Sequence, residues 1–358
     1  MNLSISYVKA VGIILMVLAH SNSLSFIDHP IGMFHMPLFF IVSGYCLKEK
    51  YFSMPHTFVW RKIKSLWWLF VKYSLLFIVF HNLFYSLNFY NEHFWNQHIY
   101  TREDFLHEFI GVFLHMENHE LMLRQFWFVK TLFWANLIAF AVLFVINNII
   151  NRIKLLAKYR TWIYGGLILG GGISVLFLNS VHKTFTVFYI SPREFLAALF
   201  IIIGYSMALL RIKNFSVGLI VLSFTLLIIN SFYCFFRMKS DFYDTEKILF
   251  YSVTAVLATW SVYSLPWHRL STRVAKMMQY IGDNTLPILV WHFLCFKAVS
   301  LLIVLLYDLP YYEVGAFHVI YDYADKGWFI IYTIVGICMP LVFKQLGKKI
   351  RLSFKRNI

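Results

Sequence analysis

Charge is scarce in this chain: 14% of its 358 residues are Asp, Glu, Lys or Arg, whereas 60% are hydrophobic and 20% aromatic. Water-soluble domains carry about 25% charged residues, so most of this chain does not fold in water. Cysteine is scarce too. Cys46, Cys234, Cys295 and Cys338 show no C-x-x-C spacing, which indicates neither a zinc site nor a disulfide framework. Linkers rich in Pro or Gly, internal repeats and low-complexity tracts are lacking, so residues 1–358 read as a single domain with no stretch long enough for an attached soluble one. No nucleophile-elbow sequence surrounds Ser43, the serine best placed for covalent chemistry, and packing through Ser43 and Gly44 is the stronger reading.

What the chain has instead is long apolar runs, with a mean hydropathy of +0.66. They group into about ten stretches, each near the ~20 residues a helix needs to cross hydrocarbon. These are Ser6–Leu24, Ile31–Leu47, Ile63–Leu87, Phe126–Asn148, Trp162–Leu178, Glu194–Leu210, Phe215–Phe236, Lys247–Leu265, Asn284–Tyr307 and Trp328–Leu346. Helices are required, because an open strand leaves its backbone unsatisfied in lipid. The expected class is therefore all-α, a polytopic integral membrane protein. Val11–Ala19 could pass for a signal peptide, but no basic segment precedes it, and a retained first span is expected.

A net charge of +15 could suggest nucleic acid, but the basic residues fall in short clusters between apolar runs, the pattern of topology. With the N-terminus inside, twenty of the 32 Lys and Arg fall in cytoplasmic segments, among them Arg61, Lys62, Arg152, Arg273 and the tail; eight fall outside. Both termini are expected in the cytoplasm, in a multi-pass protein of the cell (inner) membrane. The longest external loop, Asn88–Gln125, holds five histidines and a segment, Phe105–Leu114, that is apolar on one face and suited to the membrane surface. His115 and His119 have i,i+4 spacing, but without a third ligand no metal site is expected.

The first span, YVKAVGIILMVLAHS, has Lys9 and His20 as its strongly polar side chains. Eleven residues at 100° each come within ~20° of whole turns, so both share one face, about 16 Å apart. Ionisable groups in a span are costly and by default line a functional cavity. The alternatives are a Lys9 that snorkels to headgroups and a His20 that caps the helix. The second span opens FHMPLFFIVSGY, which sets His35 at a depth similar to His20; the short loop Ser25–Pro30 makes the two spans neighbours.

These residues resemble the opening of the membrane acyltransferase-3 family, in particular its branch of sugar O-acetylases. FWFVKTLF (126–133), SPREFLAALFIIIGY (191–205) and IGDNTLPILVWHF (281–293) extend the resemblance over nearly the whole chain. Many members carry Arg where this chain has Lys9, which keeps the charge and loses bidentate phosphate recognition. The resemblance implies transfer of an acyl group, usually acetyl, from cytoplasmic acyl-CoA to a hydroxyl of a cell-surface or lipid-linked glycan.

In that chemistry His20 is the expected base, with His35 stabilising the oxyanion or orienting His20. Lys9, with Arg61 and Lys62 at the inner mouth, is expected to attract the phosphates of acetyl-CoA, the co-substrate. Arg193 and Trp127 are candidates to face the acceptor, and His292, mid-span, to line or support the pore. The rival reading is a transporter or flippase of lipid-linked sugars that uses the same buried charges without covalent chemistry.

Overall fold

The computed structural model describes residues 3–356 except Asn96, Lys183, Thr186, Val187 and 239–243, with side chains through Lys349. Lys183, Lys239 and the side chains of Arg351, Lys355 and Arg356, all counted for orientation, lie outside the described residues. Helices α1 (Leu3–His20), α2 (Ser25–Gly32), α3 (His35–Tyr45), α4 (Pro55–Lys62), α5 (Trp68–Val79), α6 (His81–Ser86), α7 (Arg102–His115) and α8 (Trp127–Arg152) form the first half. The second half holds α9 (Arg160–Ser180), α10 (Pro192–Leu209), α11 (Val217–Tyr233), α12 (Thr245–Ser264), α13 (Thr272–Asp283), α14 (Thr285–Leu306), the turn α15 (Tyr321–Tyr323) and α16 (Phe329–Arg356). No strand occurs among the described residues; two isolated bridges, Asn91 to Phe94 and Phe185 to Ile190, pin loops.

Seven helical stretches among the described residues are long and apolar enough to cross a membrane. They coincide with α1, α2 joined to α3, α8, α9, α10, α14 and α16 with their flanking turns. Three expected spans fall outside that set. Ile63–Leu87 begins in a π-helical turn, Ile63–Trp67, and its helix stops at Phe80 before α6. The apolar α11 has 17 residues, and α12 opens on Glu246 and Lys247.

The centre of the bundle is α1, α3, α8, α10 and α14, where the fully buried side chains concentrate. Its closest joint lies between α3 and α10. A Cβ added to Gly44 would lie 1.9 Å from the Ile201 carbonyl oxygen, and one added to Gly204 would lie 2.0 Å from that of Ile41. Two glycines facing each other let the backbones touch, the way helices gain contact where lipid removes any hydrophobic drive to pair. Leu169, Ile173 and Phe177 of α9 and Val221, Leu222 and Ile228 of α11 are exposed, an outer surface suited to acyl chains.

The loop between α6 and α8 is ordered by its own polar contacts. Thr101 and Asp104 form a reciprocal capping box at the start of α7. Leu106, Ile110, Phe113 and Leu114 point outward from that helix, while buried Glu108 turns inward to His119, whose Nδ1 lies 2.9 Å from it. The hydrogen bond and charge of Glu108 raise the His119 pKa above its ordinary 6.5. Burial pushes Glu108 up, yet the bond and charge of His119 outweigh it and hold the carboxyl below its usual 4.5.

Two outcomes follow from these contacts. Gly204→Ala forces a methyl into backbone, costs ~1–3 kcal/mol or more, and lowers the melting temperature in detergent; an unchanged melt would contradict the joint. The pair of Glu108 and His119 contributes between the two ionisations: a raised histidine stabilises below its unfolded 6.5 and loses its effect as pH rises through the folded value, while the depressed carboxyl stabilises above 4.5 and loses its effect on acidification. His119→Gln should therefore lower the melting temperature most near pH 6 and converge with the parent in alkaline buffer. The gap should stay within ~1 kcal/mol, because the histidine is half exposed and screened.

Candidate active site

A cavity of about 430 Å³ runs along α1, within the size range of small-molecule sites. Ile5, Lys9, Ile13, Met16 and His20 line it from one helix, at spacings of three or four, which is a single face. Met36, Phe39 and Val42 of α3 with Cys46 just past its end, Phe128 and Leu132 of α8, and Leu286, Leu289 and Phe293 of α14 supply the other walls. The wall is mostly apolar, and its polar groups gather at two ends.

At one end Lys9 lies 4.0 Å from Asp283, which also accepts a hydrogen bond from the Ser6 hydroxyl at 2.7 Å. At the other end His20, His35, His318, Arg124, Gln125 and the ion pair of Arg237 with Asp28 all reach the cavity. The distance along α1 between Lys9 and His20 is about 16 Å.

Two imidazoles lie nearly parallel to the His20 ring: His292 meets it edge to edge, with centroids 5.3 Å apart, and the centroid of His318 is 5.6 Å away. His20 Nδ1 is 3.1 Å from His292 Nε2, while His292 Nδ1 is 3.0 Å from the carbonyl oxygens of Ile288 and Leu289. A carbonyl can only accept, so His292 Nδ1 carries its proton and, in the neutral ring, Nε2 is an acceptor. His20 Nδ1 must then donate to it, so in the neutral ring Nε2 is the basic nitrogen of His20. The tautomer of His20 is therefore set by a helix carbonyl two bonds away.

His35 opens α3 just past a break at Phe34, where the stretch expected as a loop, Ser25–Pro30, is helical as part of α2. Its Nδ1 donates to the Ile31 carbonyl oxygen at 2.7 Å, so in the neutral ring Nε2 is also an acceptor. The orienting hydrogen bond on His20 comes from His292, and His35 adds a second imidazole to the same cavity.

Arg61 and Lys62 lie on α4, outside the cavity wall. Arg61 donates to the Tyr51 hydroxyl at 2.7 Å, and the Lys62 ammonium sits 5.2 Å from the Phe58 ring centre. Arg193 is buried at the start of α10, where Ser191 and Glu194 form a capping box and Pro192 takes the first turn. Its Nε donates to Thr131 and Glu194, each at 3.0 Å, and its guanidinium stacks 5.4 Å from the Trp127 ring. Arg193, Lys130, Trp127 and Arg124 edge a smaller recess of about 160 Å³, which shares Arg124 and Trp127 with the main cavity.

Two cavity residues carried no clear signal in the sequence. His318 lies between spans, in GAFHVI, and its one cue is a single polar residue in an apolar string. Gln125 precedes FWFVKTLF and is 4% exposed. Its amide NH2 donates to Leu289 and Met122 carbonyl oxygens at 2.8 and 3.3 Å, and its Oε1 has no partner among the described residues. Ser43 reaches the cavity wall too, with its hydroxyl donated to Asn136 Oδ1 at 3.0 Å.

Comparison with curated proteins and with solved structures gave no match. The family model described as an acyltransferase domain, acyltransferase-3, matches residues 2–345. With its apolar helices and with nearly its whole length matched, this chain belongs to the acyltransferase-3 family and is a multi-pass membrane acyltransferase.

Proposed function

We propose that the protein moves an acetyl group from cytoplasmic acetyl-CoA to a hydroxyl of a cell-surface or lipid-linked glycan, with His20 as the general base. The observation that carries this reading is the oriented imidazole: His20 gives its Nδ1 proton to His292, which makes Nε2 the basic nitrogen of the ring, at the far end of a cavity that begins at Lys9. In this reading the chain crosses the inner membrane ten times with Lys9 toward the cytoplasm, an orientation supported by the excess of basic residues in alternate segments.

In this reading, Lys9 draws the anionic part of the donor to the inner mouth, and Asp283 holds its ammonium in place. Arg61 and Lys62, on α4 away from the wall, act at longer range by raising the local concentration of phosphate. The thioester arm lies along the apolar channel toward His20. The acceptor hydroxyl approaches from the end where Arg124, Gln125, Trp127 and His35 gather, and Gln125 Oε1 accepts from one of its hydroxyls. Arg193 fixes Trp127 as a stacking platform for the sugar ring.

His20 Nε2 takes the proton from the acceptor hydroxyl as its oxygen bonds to the thioester carbonyl carbon. The tetrahedral oxyanion is met by the Arg124 and Arg237 guanidiniums, while neutral His35, whose Nδ1 proton is given to Ile31, presents Nε2 as an acceptor for a hydroxyl of the sugar. The carbon–sulfur bond then breaks, and the leaving thiolate recovers the proton from His20. An ester and free CoA thiol result. No metal is required for any of these steps.

Three variants test the assignment in inside-out vesicles that carry the cell's own glycan, supplied with acetyl-labelled acetyl-CoA. The parent should place label in the glycan; vesicles that export glycan and gain no label would favour the transport reading. His20→Ala should lose transfer by ~10²–10⁴-fold, the range for a general base, while reaching the membrane in normal amount; retained transfer would sink the base assignment. His292→Phe keeps an aromatic ring at this position and removes the acceptor for His20 Nδ1, so kcat should fall ~10–10³-fold with little change in KM. Lys9→Gln should instead raise KM for acetyl-CoA, and Lys9→Arg should restore it.

A further inference from the structure

Lys297 is a cation the mechanism above does not use. It sits on α14, twelve residues past Thr285, and is 1% exposed. Its ammonium donates to the carbonyl oxygens of Val314 and Ala316 at 3.0 and 2.9 Å. Those carbonyls belong to the irregular stretch between α14 and α15, of which Val314, Gly315, Ala316, Phe317, Val319 and Ile320 are buried. Irregular backbone at such depth has no water to satisfy it and survives only where protein groups answer it.

The stretch is tied at both ends. Beyond Lys297 at one end, the Ile320 amide donates to the Tyr332 hydroxyl at 3.3 Å, and that hydroxyl pairs with Ser300 Oγ at 2.9 Å. Between the two anchors lies His318, the ring stacked on His20 and 5.1 Å from that of Phe293. Geometry along the helices explains why an anchor is needed. Asp283, just before α14, meets Lys9 and Ser6, and His292 meets His20, so α1 and α14 run level to this point. From His292, α14 continues for about 21 Å beyond the end of α1. The returning stretch fills the space above His20.

We propose that Lys297 is a positioning residue that holds His318 over His20 and thereby keeps water from the thioester. The proposal rests on the acyl-transfer reading of His20. A hydrophobic residue at 297 would pack as well in this buried position but would leave two carbonyls unanswered, and the stretch would lift. Water then replaces the acceptor hydroxyl: it gives one proton to His20 as its oxygen bonds to the acyl carbon, the carbon–sulfur bond breaks, the thiolate takes that proton from His20, and CoA thiol leaves with acetic acid, which ionises to acetate. The signature of a lost anchor is therefore a changed partition between glycan ester and acetate, beyond a slower reaction.

The test compares the parent, Lys297→Met, His318→Ala and the double variant in the labelled vesicles, with counts of ester and free acetate. Lys297→Met should lower the ester-to-acetate ratio ~tenfold or more, with KM for acetyl-CoA within ~twofold of the parent. His318→Ala should do the same, and the double variant should be no worse than the poorer single one, since both act through one contact. A ratio within ~twofold of the parent in Lys297→Met, or losses that multiply in the double variant, would overturn the proposal. Should Lys297→Met fail to accumulate, Tyr332→Phe loosens the other anchor and is expected to shift the same ratio severalfold; an unshifted ratio counts against it. If the parent itself transfers no acetyl, the acyl-transfer reading fails, and hydrogen exchange judges the anchor alone. Lys297→Met should then speed exchange across residues 314–320 and leave 285–296 unchanged, whereas identical exchange would refute the anchor.

Discussion

Hydrocarbon offers no hydrogen bonds, so each polar group inside this bundle has to be answered by another part of the chain. That constraint sorts the buried polar residues by what answers them. Backbone carbonyls answer His292, His35, Lys297 and the Gln125 amide nitrogen. Each such bond fixes which atom can accept. On His20 and His35 that atom is Nε2, and on Gln125 it is the amide oxygen, and all three residues line one cavity. A set of acceptors facing a dry channel suits a substrate that arrives with hydroxyl groups.

The same constraint makes small residues decisive. Gly44 against α10 and Gly204 against α3 bring two backbones into contact, and Gly282 does so against α1, where an added Cβ would lie 1.8 Å from the Ser6 carbonyl oxygen. These joints set how closely α10 approaches α3 and α13 approaches α1; α3 and α1 are the two helices that supply much of the cavity wall. Directly after Gly282 comes Asp283, the partner of Lys9. Packing and charge placement therefore share one turn of helix. Lys9 meets Asp283 because a glycine lets the helix approach.

Much of the site was legible before any coordinates. The eleven-residue spacing of Lys9 and His20 fixed their shared face, since helix pitch is a local property, and α1 indeed lines the cavity with that face. The short connection from α1 to α3 made His35 a neighbour, although the stretch read as loop winds into a helix first. Arg193 and Trp127 stood out as polar and aromatic residues at helix starts, but the ion pair with Glu194 and the stacking of one on the other come from α8 lying beside α10. Arg61 and Lys62 followed from charge clustering, which reports topology and not the wall of a cavity; α4 points them elsewhere.

By itself the sequence determined the medium, the helical class and the face of each long helix, because apolar length and periodicity act within a single segment. Tertiary structure alone decided what surrounds His20. The imidazole that orients it is 272 positions away on α14, and the ring that covers it arrives on a returning stretch held by Lys297. Such pairings depend on how far one helix extends past another, which no local pattern encodes.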